Sequence, residues 1–238
     1  VFNIIGLSNE ESKEKFGFCI AKFTPKQQKK KKQVVKERVM VSNQIKPLPK
    51  NIVAIGLVEH IGDIIACEPV SRYVRNIFPD AYIVWVTKPS YKDLIDSNPH
   101  INEAYTVSCL TEWIFLKNSG LFQEVIDLHI QNRVCPTCNV PLEKVEGRVD
   151  ITLENYYDHG NLLSAFCQNA GLPILTEAPQ VYIRDSERQG VDLIGLPKDY
   201  IVFHCLSNEY TRDWKDENWI ELAHKIKKKW NLQIVEVG

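Results

Sequence analysis

The chain has 238 residues, 44% hydrophobic and 25% charged, with a formal net charge of −1. This is ordinary for a soluble globular protein of one large domain or two small ones. No stretch reaches the roughly 18 consecutive apolar residues of a membrane-spanning helix, so an integral membrane protein of that kind is excluded.

The start, Val1-Phe-Asn-Ile-Ile-Gly6, reads as neither a basic leader nor a cleavage site, and a first residue other than methionine is expected of a piece of something longer. The charge is unevenly spread. Residues 1–50 carry a net +8 and residues 51–238 a net −9. The basic excess centres on Lys26 to Arg38 and includes Lys29-Lys30-Lys31-Lys32. Such runs repel themselves and stay solvated, which makes a flexible linker the first reading. Contact with an anionic membrane surface or a polyanion is the second. We read residues 1–24, with a strand-like Phe16–Phe23, as the tail of a preceding domain and residues 25–50 as the linker. Seven cysteines at irregular spacing suit a reducing compartment better than a disulfide framework.

From Asn51 the pattern becomes regular. Ile52–Leu57 is an apolar strand, and Asp63–Phe78 reads as a helix with Ile64, Ile65, Cys67, Val70, Val74 and Ile77 on roughly one face. Pro69 predicts a kink or an irregular early turn there. Ala81–Thr87 is a continuously apolar strand, expected to be buried on both faces. A short helix over 89–98, a strand over 103–107, a helix over 111–118 closed by Gly120, and a strand over 124–129 follow. Helix is predicted for 152–170, strand and loop for 174–199. A new strand–helix–strand unit then covers 200–204, 216–230 and 232–237. This alternation predicts an α/β fold, a Rossmann-like parallel sheet with flanking helices. Right-handed crossovers put all strand ends on one edge, so Asp63 and His129 are expected there together. The expected domains are 51–190 and 191–238.

Three constellations carry chemistry. The first is Ile55-Gly-Leu-Val-Glu-His-Ile-Gly-Asp63. It lacks the Gly-Lys-Ser/Thr of a P-loop and the middle glycine of the dinucleotide fingerprint. Asp63 reads either as a helix N-cap or as a reactive carboxylate at a strand end, where open α/β sheets bind ligands. The second is His204-Cys-Leu-Ser-Asn-Glu-Tyr-Thr-Arg212-Asp-Trp214. Ser207, Thr211 and Arg212 suit a phosphate ahead of a helix N-terminus, while Trp214 and Trp219 read as packing residues. The third is Cys135-Pro-Thr-Cys138, two of the four ligands a structural zinc needs. His129, Cys109, His159 and Cys167 are candidate completions, and a plain reduced pair is the competing reading.

The first two constellations resemble glycosyltransferase family nine, the lipopolysaccharide heptosyltransferases. The resemblance runs over about 51–238. It rests on Gly62-Asp63 after a strand, Pro69, Phe78-Pro-Asp80-Ala, Trp85-Val-Thr-Lys-Pro89, Asn98-Pro99, Asp127-Leu-His129, Arg212-Asp-Trp214 and Glu217-Asn-Trp219. It implies a GT-B fold of two facing Rossmann-like domains, the second truncated here. It implies inverting transfer of a heptose-like sugar from a nucleotide-diphosphate donor (ADP-heptose in type) to a lipopolysaccharide or other glycan acceptor. Asp63 falls on the family's catalytic base, and Arg212 falls on its lysine beside the donor phosphates. Ser207 and Thr211 would join Arg212 at the donor, and His60, Gly62 and His129 would line the acceptor, with local hydrogen bonding the other reading of His129. Asp63 and Arg212 would meet across a cleft. Glu59-His60 departs from the family's small or polar turn and implies a different acceptor. No metal is required for transfer, with a structural zinc at Cys135 and Cys138 the one candidate cofactor. The implied setting is bacterial and cytoplasmic, at the inner face of the membrane, with no nucleic-acid partner. A chain ending at Gly238 is expected to bind donor weakly and turn over little. The alternative is a non-catalytic nucleotide- or sugar-binding Rossmann module in a larger fusion.

Overall fold

The computed structural model describes residues 51–144, 146–207 and 210–237. The expected strand at 16–23 and the basic linker at 25–50 lie outside them. The described chain divides into two compact units, one ending at Tyr182 and one beginning at Ile183.

The first unit is built on a four-stranded sheet of β1 (Ile52–Gly56), β2 (Tyr82–Thr87), β3 (Glu103–Thr106) and β4 (Glu124–Asp127). Their spatial order is β3-β2-β1-β4 and every pairing is parallel. The apolar runs explain the centre of the sheet. All five residues of β1 and five of six in β2 are buried, as strands covered on both faces must be. The pleat sorts side chains to alternate faces. Val53, Ile55 and Leu57 pack with Ile64, Cys67, Val70 and Val74. Ile52, Ala54 and Val58 pack on the other side with Trp113 and Leu116.

The expected helix over 63–78 is two helices. α1 spans Ile61–Ala66 and α2 spans Glu68–Ile77, with Cys67 between them at φ −90°, ψ 3°. Pro69 sits in the first turn of α2, where its missing N–H costs nothing. A 3-10 turn over Pro89–Tyr91 leads into α3 (Lys92–Asp96), and α4 (Leu110–Lys117) crosses from β3 to β4.

The expected long helix over 152–170 is also shorter. A 3-10 turn at Tyr156–His159 ends at Gly160, whose φ of 98° suits glycine. Asn161 then caps α5 (Leu162–Asn169), its side chain accepting from the Ser164 N–H at 2.9 Å. Residues 178–182 run as a strap over α2, held by buried Glu68. Its carboxylate accepts from Arg72 (3.0 Å), the Gln180 N–H (2.9 Å) and the Tyr182 hydroxyl (2.8 Å).

In the second unit, α6 (Asp185–Ile194) stands where strand and loop were expected, and Gly195 ends it in the left-handed conformation at φ 68°. β5 (Tyr200–Phe203) and β6 (Gln233–Glu236) pair in parallel around α7 (Asp216–Trp230). Asp216 and Glu217 at the start of α7 and Lys227, Lys228 and Lys229 at its end complement the helix dipole. Among the described residues no helix is long and apolar enough to cross a membrane.

Candidate functional site

The strand order places a topological switch between β1 and β4: the chain runs outward from β1 to β2 and β3, then returns to β1's other side. Ligands of open α/β sheets bind at the carboxyl ends of the strands flanking such a switch. Here those ends are Gly56 and Asp127, partners in the ladder. The segments that follow them carry Glu59, His60 and Asp63 on one side and His129, Arg133 and the cysteine motif on the other.

Asp63 is the third residue of α1, and His60 is the N-cap. The Asp63 Oδ2 accepts from the His60 N–H at 3.0 Å. The carboxylate therefore holds the turn from inside the helix, the returning half of a capping box. It is half-buried, and that burial raises its pKa above the usual aspartate value. The His60 N–H opposes the rise and the nearby Glu59 charge adds to it. His60 and Gly62 are exposed. Glu59 is not: it is buried and paired with Arg133 at 2.6 Å. Its departure from a small turn residue has a structural basis, a tie between the β1 and β4 loops.

His129 stands differently from its expected place at the acceptor. It is fully buried. Its Nε2 accepts from the Val58 N–H at 2.7 Å, so Nδ1 carries the ring proton and donates to Asp127 Oδ1 at 2.7 Å. With both nitrogens committed, the ring has nothing to offer a ligand. It positions the turn that bears Asp63. Asp127 is held in turn by Lys117, whose Nζ lies 2.8 Å from Oδ2. Burial alone would raise the Asp127 carboxyl, but His129, Lys144 and Lys117 outweigh it and hold it well below the usual carboxylate range. Lys144 is buried too, and its ammonium donates to the carbonyls of Asp127 (2.5 Å), His129 (2.9 Å) and Asn169 (2.9 Å). Burial lowers the Lys144 pKa to about 8, against the pull of Asp127. Lys117, Lys144 and Asn169 form a support the sequence reading missed. Lys144 in a charged loop and Lys117 at the end of α4 carry no periodic signal of burial.

The cysteine motif folds as a tight hairpin. Val134 bridges Pro141 in antiparallel fashion, and the Cys135 N–H donates to the Val140 carbonyl at 2.8 Å. Asn139 turns the chain at φ 57°. Of the four candidate completions, Cys109 is the one brought to the pair: the three sulfurs lie within 4.8 Å of one another, with Cys109 and Cys138 3.9 Å apart. Cys167 instead packs beside Cys67 in the core under α1 and α2. Burial would raise the Cys135 thiol, but hydrogen bonds from Thr111, Cys138 and Thr137 lower it to about 6. Cys109, desolvated and crowded by the other sulfurs, rises to about 12.

The expected donor residues belong to the second unit. Ser207 follows β5 and donates its N–H to Asp213 Oδ1 at 2.7 Å. Thr211 and Arg212 lie in an exposed 3-10 turn, Tyr210–Arg212, shortly before α7. Trp214 and Trp219 do pack, edge to face at 5.3 Å, with Trp219 also 5.0 Å from Phe203.

The architecture is a Rossmann-like α/β fold with its candidate site at the switch point. Solved structures with this fold include a family 9 glycosyl transferase from Veillonella parvula. It is 17% identical with a TM-score of 0.53 over 81% of this chain and 64% of that one. Another is TibC, an iron-containing dodecameric glycosyltransferase from enterotoxigenic E. coli, 11% identical with a TM-score of 0.50 over 79% of this chain and 42% of that one. The chain thus spans less than two thirds of the length of either. At these identities the likeness is one of fold: a Rossmann-like parallel sheet with flanking helices, as in these glycosyltransferases. No protein-family model and no curated protein matches the sequence.

Proposed function

We propose that the protein is an inverting glycosyltransferase. It moves a heptose-like sugar from a nucleotide-diphosphate donor to a lipopolysaccharide or other glycan acceptor, with Asp63 as the base. The observation that carries this reading is a half-buried carboxylate of raised proton affinity, fixed in the first turn after β1 beside the sheet's switch point. Removing a proton from an acceptor hydroxyl asks for a positioned base, and a carboxylate raised toward neutral pH is better matched to that task. The departing diphosphate asks for positive charge and hydrogen-bond donors, for which Arg212, Ser207 and Thr211 are the candidates. Exposed His60 and Gly62 beside Asp63 would meet the acceptor. Transfer in this reading needs no metal, and the reaction would run in the cytoplasm at the membrane's inner face.

The test is a transfer assay with nucleotide-diphosphate heptose and other sugar donors, on the full-length protein as wild type and as Asp63→Asn. General-base catalysis is worth about 10²–10⁴-fold, so the variant should lose at least a hundredfold in rate while keeping its circular dichroism. Arg212→Ala should weaken binding of the nucleotide diphosphate. Equal rates for wild type and Asp63→Asn would remove Asp63 from the chemistry. Donor binding with no transfer to any glycan acceptor would favour a binding module.

A further inference from the structure

We infer that Cys109, Cys135 and Cys138 form a metal site for a thiophilic divalent ion, zinc before others, with three protein thiolates and a fourth position toward solvent. The inference goes beyond the transferase reading and does not depend on it. Three observations carry it.

The first is spacing. Tetrahedral zinc with sulfur ligands at about 2.3 Å requires sulfurs about 3.8 Å apart. The Cys109 and Cys138 sulfurs are 3.9 Å apart, and all three lie within 4.8 Å. A disulfide needs about 2.05 Å, so the trio stands at the separation of ligands around an ion. The second is the hairpin. Cys135-Pro-Thr-Cys138 closes with the Asn139 N–H on the Cys135 carbonyl at 2.8 Å and Asn139 in the left-handed conformation. This turn brings the Thr137 and Cys138 N–H groups to the Cys135 sulfur, and the first turn of α4 brings the Thr111 N–H to it. Donors to a ligating sulfur are the supporting shell a thiolate site uses. The third is the Thr111 hydroxyl, fully buried with the Cys135 sulfur as the one acceptor beside it. A buried hydroxyl left unpaired is costly, and a metal-bound thiolate is an acceptor that would satisfy it.

The three come from two separate segments that also meet in the apolar cluster around Trp113. Cys109 is the N-cap of α4 and the other two lie in the hairpin after β4. Cys67, Cys167 and Cys205 lie elsewhere. Cys135 is buried while Cys109 and Cys138 are half-exposed, so an ion held by all three would face water on its remaining side. Soft sulfur donors in tetrahedral array select zinc among the abundant divalent ions. The ion would clamp the hairpin to the first turn of α4, and the hairpin starts next to Arg133, the partner of Glu59.

The test uses the reduced protein with Zn²⁺ and, for its spectrum, Co²⁺. One ion should bind per chain, with tetrahedral cobalt bands and sulfur-to-cobalt charge transfer. Loss of an outer-shell partner weakens metal sites about 10–100-fold. Cys109→Ser, Cys135→Ser and Cys138→Ser should each weaken binding by more than about a hundredfold, and Thr111→Val by about tenfold with Thr111→Ser restoring it. Cys205→Ser should bind as wild type. Thiol alkylation of the wild type, read by mass spectrometry, does not depend on whether the variants fold: Zn²⁺ should protect Cys109, Cys135 and Cys138 together, and a chelator should release all three. No stoichiometric metal on the reduced chain, a Cys109–Cys138 disulfide as the native state, or protection that spares Cys109 would overturn the site.

Discussion

Gly56 ends β1 and has no room for a side chain. A Cβ built on it would lie 2.0 Å from Trp113 Cζ2, 2.3 Å from Cε2 and 2.6 Å from Cη2. Ordinary contact begins at 3.4 Å, so the indole would have to retreat by about 1.4 Å in Gly56→Ala. It has nowhere to go. Trp113 is fully buried among Val58, Cys135 and Leu142, and a rigid bicyclic ring cannot fold aside as a methionine could. Overpacking costs about 1–3 kcal/mol in ordinary cores; a clash of this depth against a rigid ring belongs at the top, about 3 kcal/mol. The strand can move instead, but Gly56 is paired on both sides, to Val86 and to Asp127. Urea unfolding, with equal slopes checked, reads the loss directly. A double-mutant cycle then tests the cause. Trp113→Phe removes the atoms that clash, so Gly56→Ala should cost much less in that background, a coupling of about 1–3 kcal/mol. If Gly56→Ala costs under about 0.5 kcal/mol in the wild type, or the same in both backgrounds, the close approach of Trp113 is not what requires glycine.

Three further outcomes follow from the buried network. His129→Leu leaves the Val58 N–H without its partner and takes the ring donor from Asp127 Oδ1, which keeps the backbone N–H of residue 129; about 2–3 kcal/mol should be lost, with faster amide exchange at Val58 as the local readout. Asp127 has a pKa depressed by folding, so its carboxylate contributes stability that is present above the unfolded value and lost as pH falls below it. Asp127→Asn should accordingly lower stability at neutral pH and flatten its decline below about pH 4, measured as urea midpoint against pH. Parallel wild-type and variant curves would refute the assignment. Tyr182→Phe removes one donor to Glu68 and should cost about 1 kcal/mol, with the Gln180 amide exchanging faster as the strap loosens over α2.

The sheet was legible because its strands are long apolar runs at regular spacing, and α7 because its charges follow its dipole. Local chemistry explains the misses. The helix over 63–78, expected to kink or turn irregularly near Pro69, breaks outright at Cys67, because Pro69 is comfortable in a first turn. A helix over 152–170 ignored Gly160 and Asn161, a left-handed stop followed by a cap. α6 hid because its large apolar residues, Val191, Leu193 and Ile194, crowd into its last turn and are exposed, without a clean stripe. At the site, Asp63 was legible from the glycine-flanked turn. His129 was placed at the right strand end but with the wrong exposure, since sequence marks position along a strand and not which way the loop folds over it. Cys109 could not be singled out at all: 25 residues separate it from Cys135, and only the crossover of α4 brings the two together.

What the network adds is a reason for Asp63 to be fixed. Under the transferase reading Asp63 is a base, and a base is useful only if it does not wander, because errors of about 1 Å in a catalytic group cost orders of magnitude. The Asp63 turn is short and partly exposed, and its own cap is a single hydrogen bond from His60. Rigidity comes from behind it. Val58 hangs on His129, and Glu59 on Arg133. His129 hangs on Asp127, and the carbonyls of both hang on Lys144. The turn after β1 is thus bolted to the segment after β4, across the two strands that flank the switch. Lys144→Met therefore has an expected signature distinct from loss of a ligand-binding group. With the cage of carbonyls opened, the β4 loop and then the Val58 and Glu59 ties should loosen. Under the transferase reading, the turnover number should fall with little change in donor affinity, because Lys144 is buried and no donor can touch it. A variant that weakens donor binding and leaves turnover intact would show that the support does not act on Asp63.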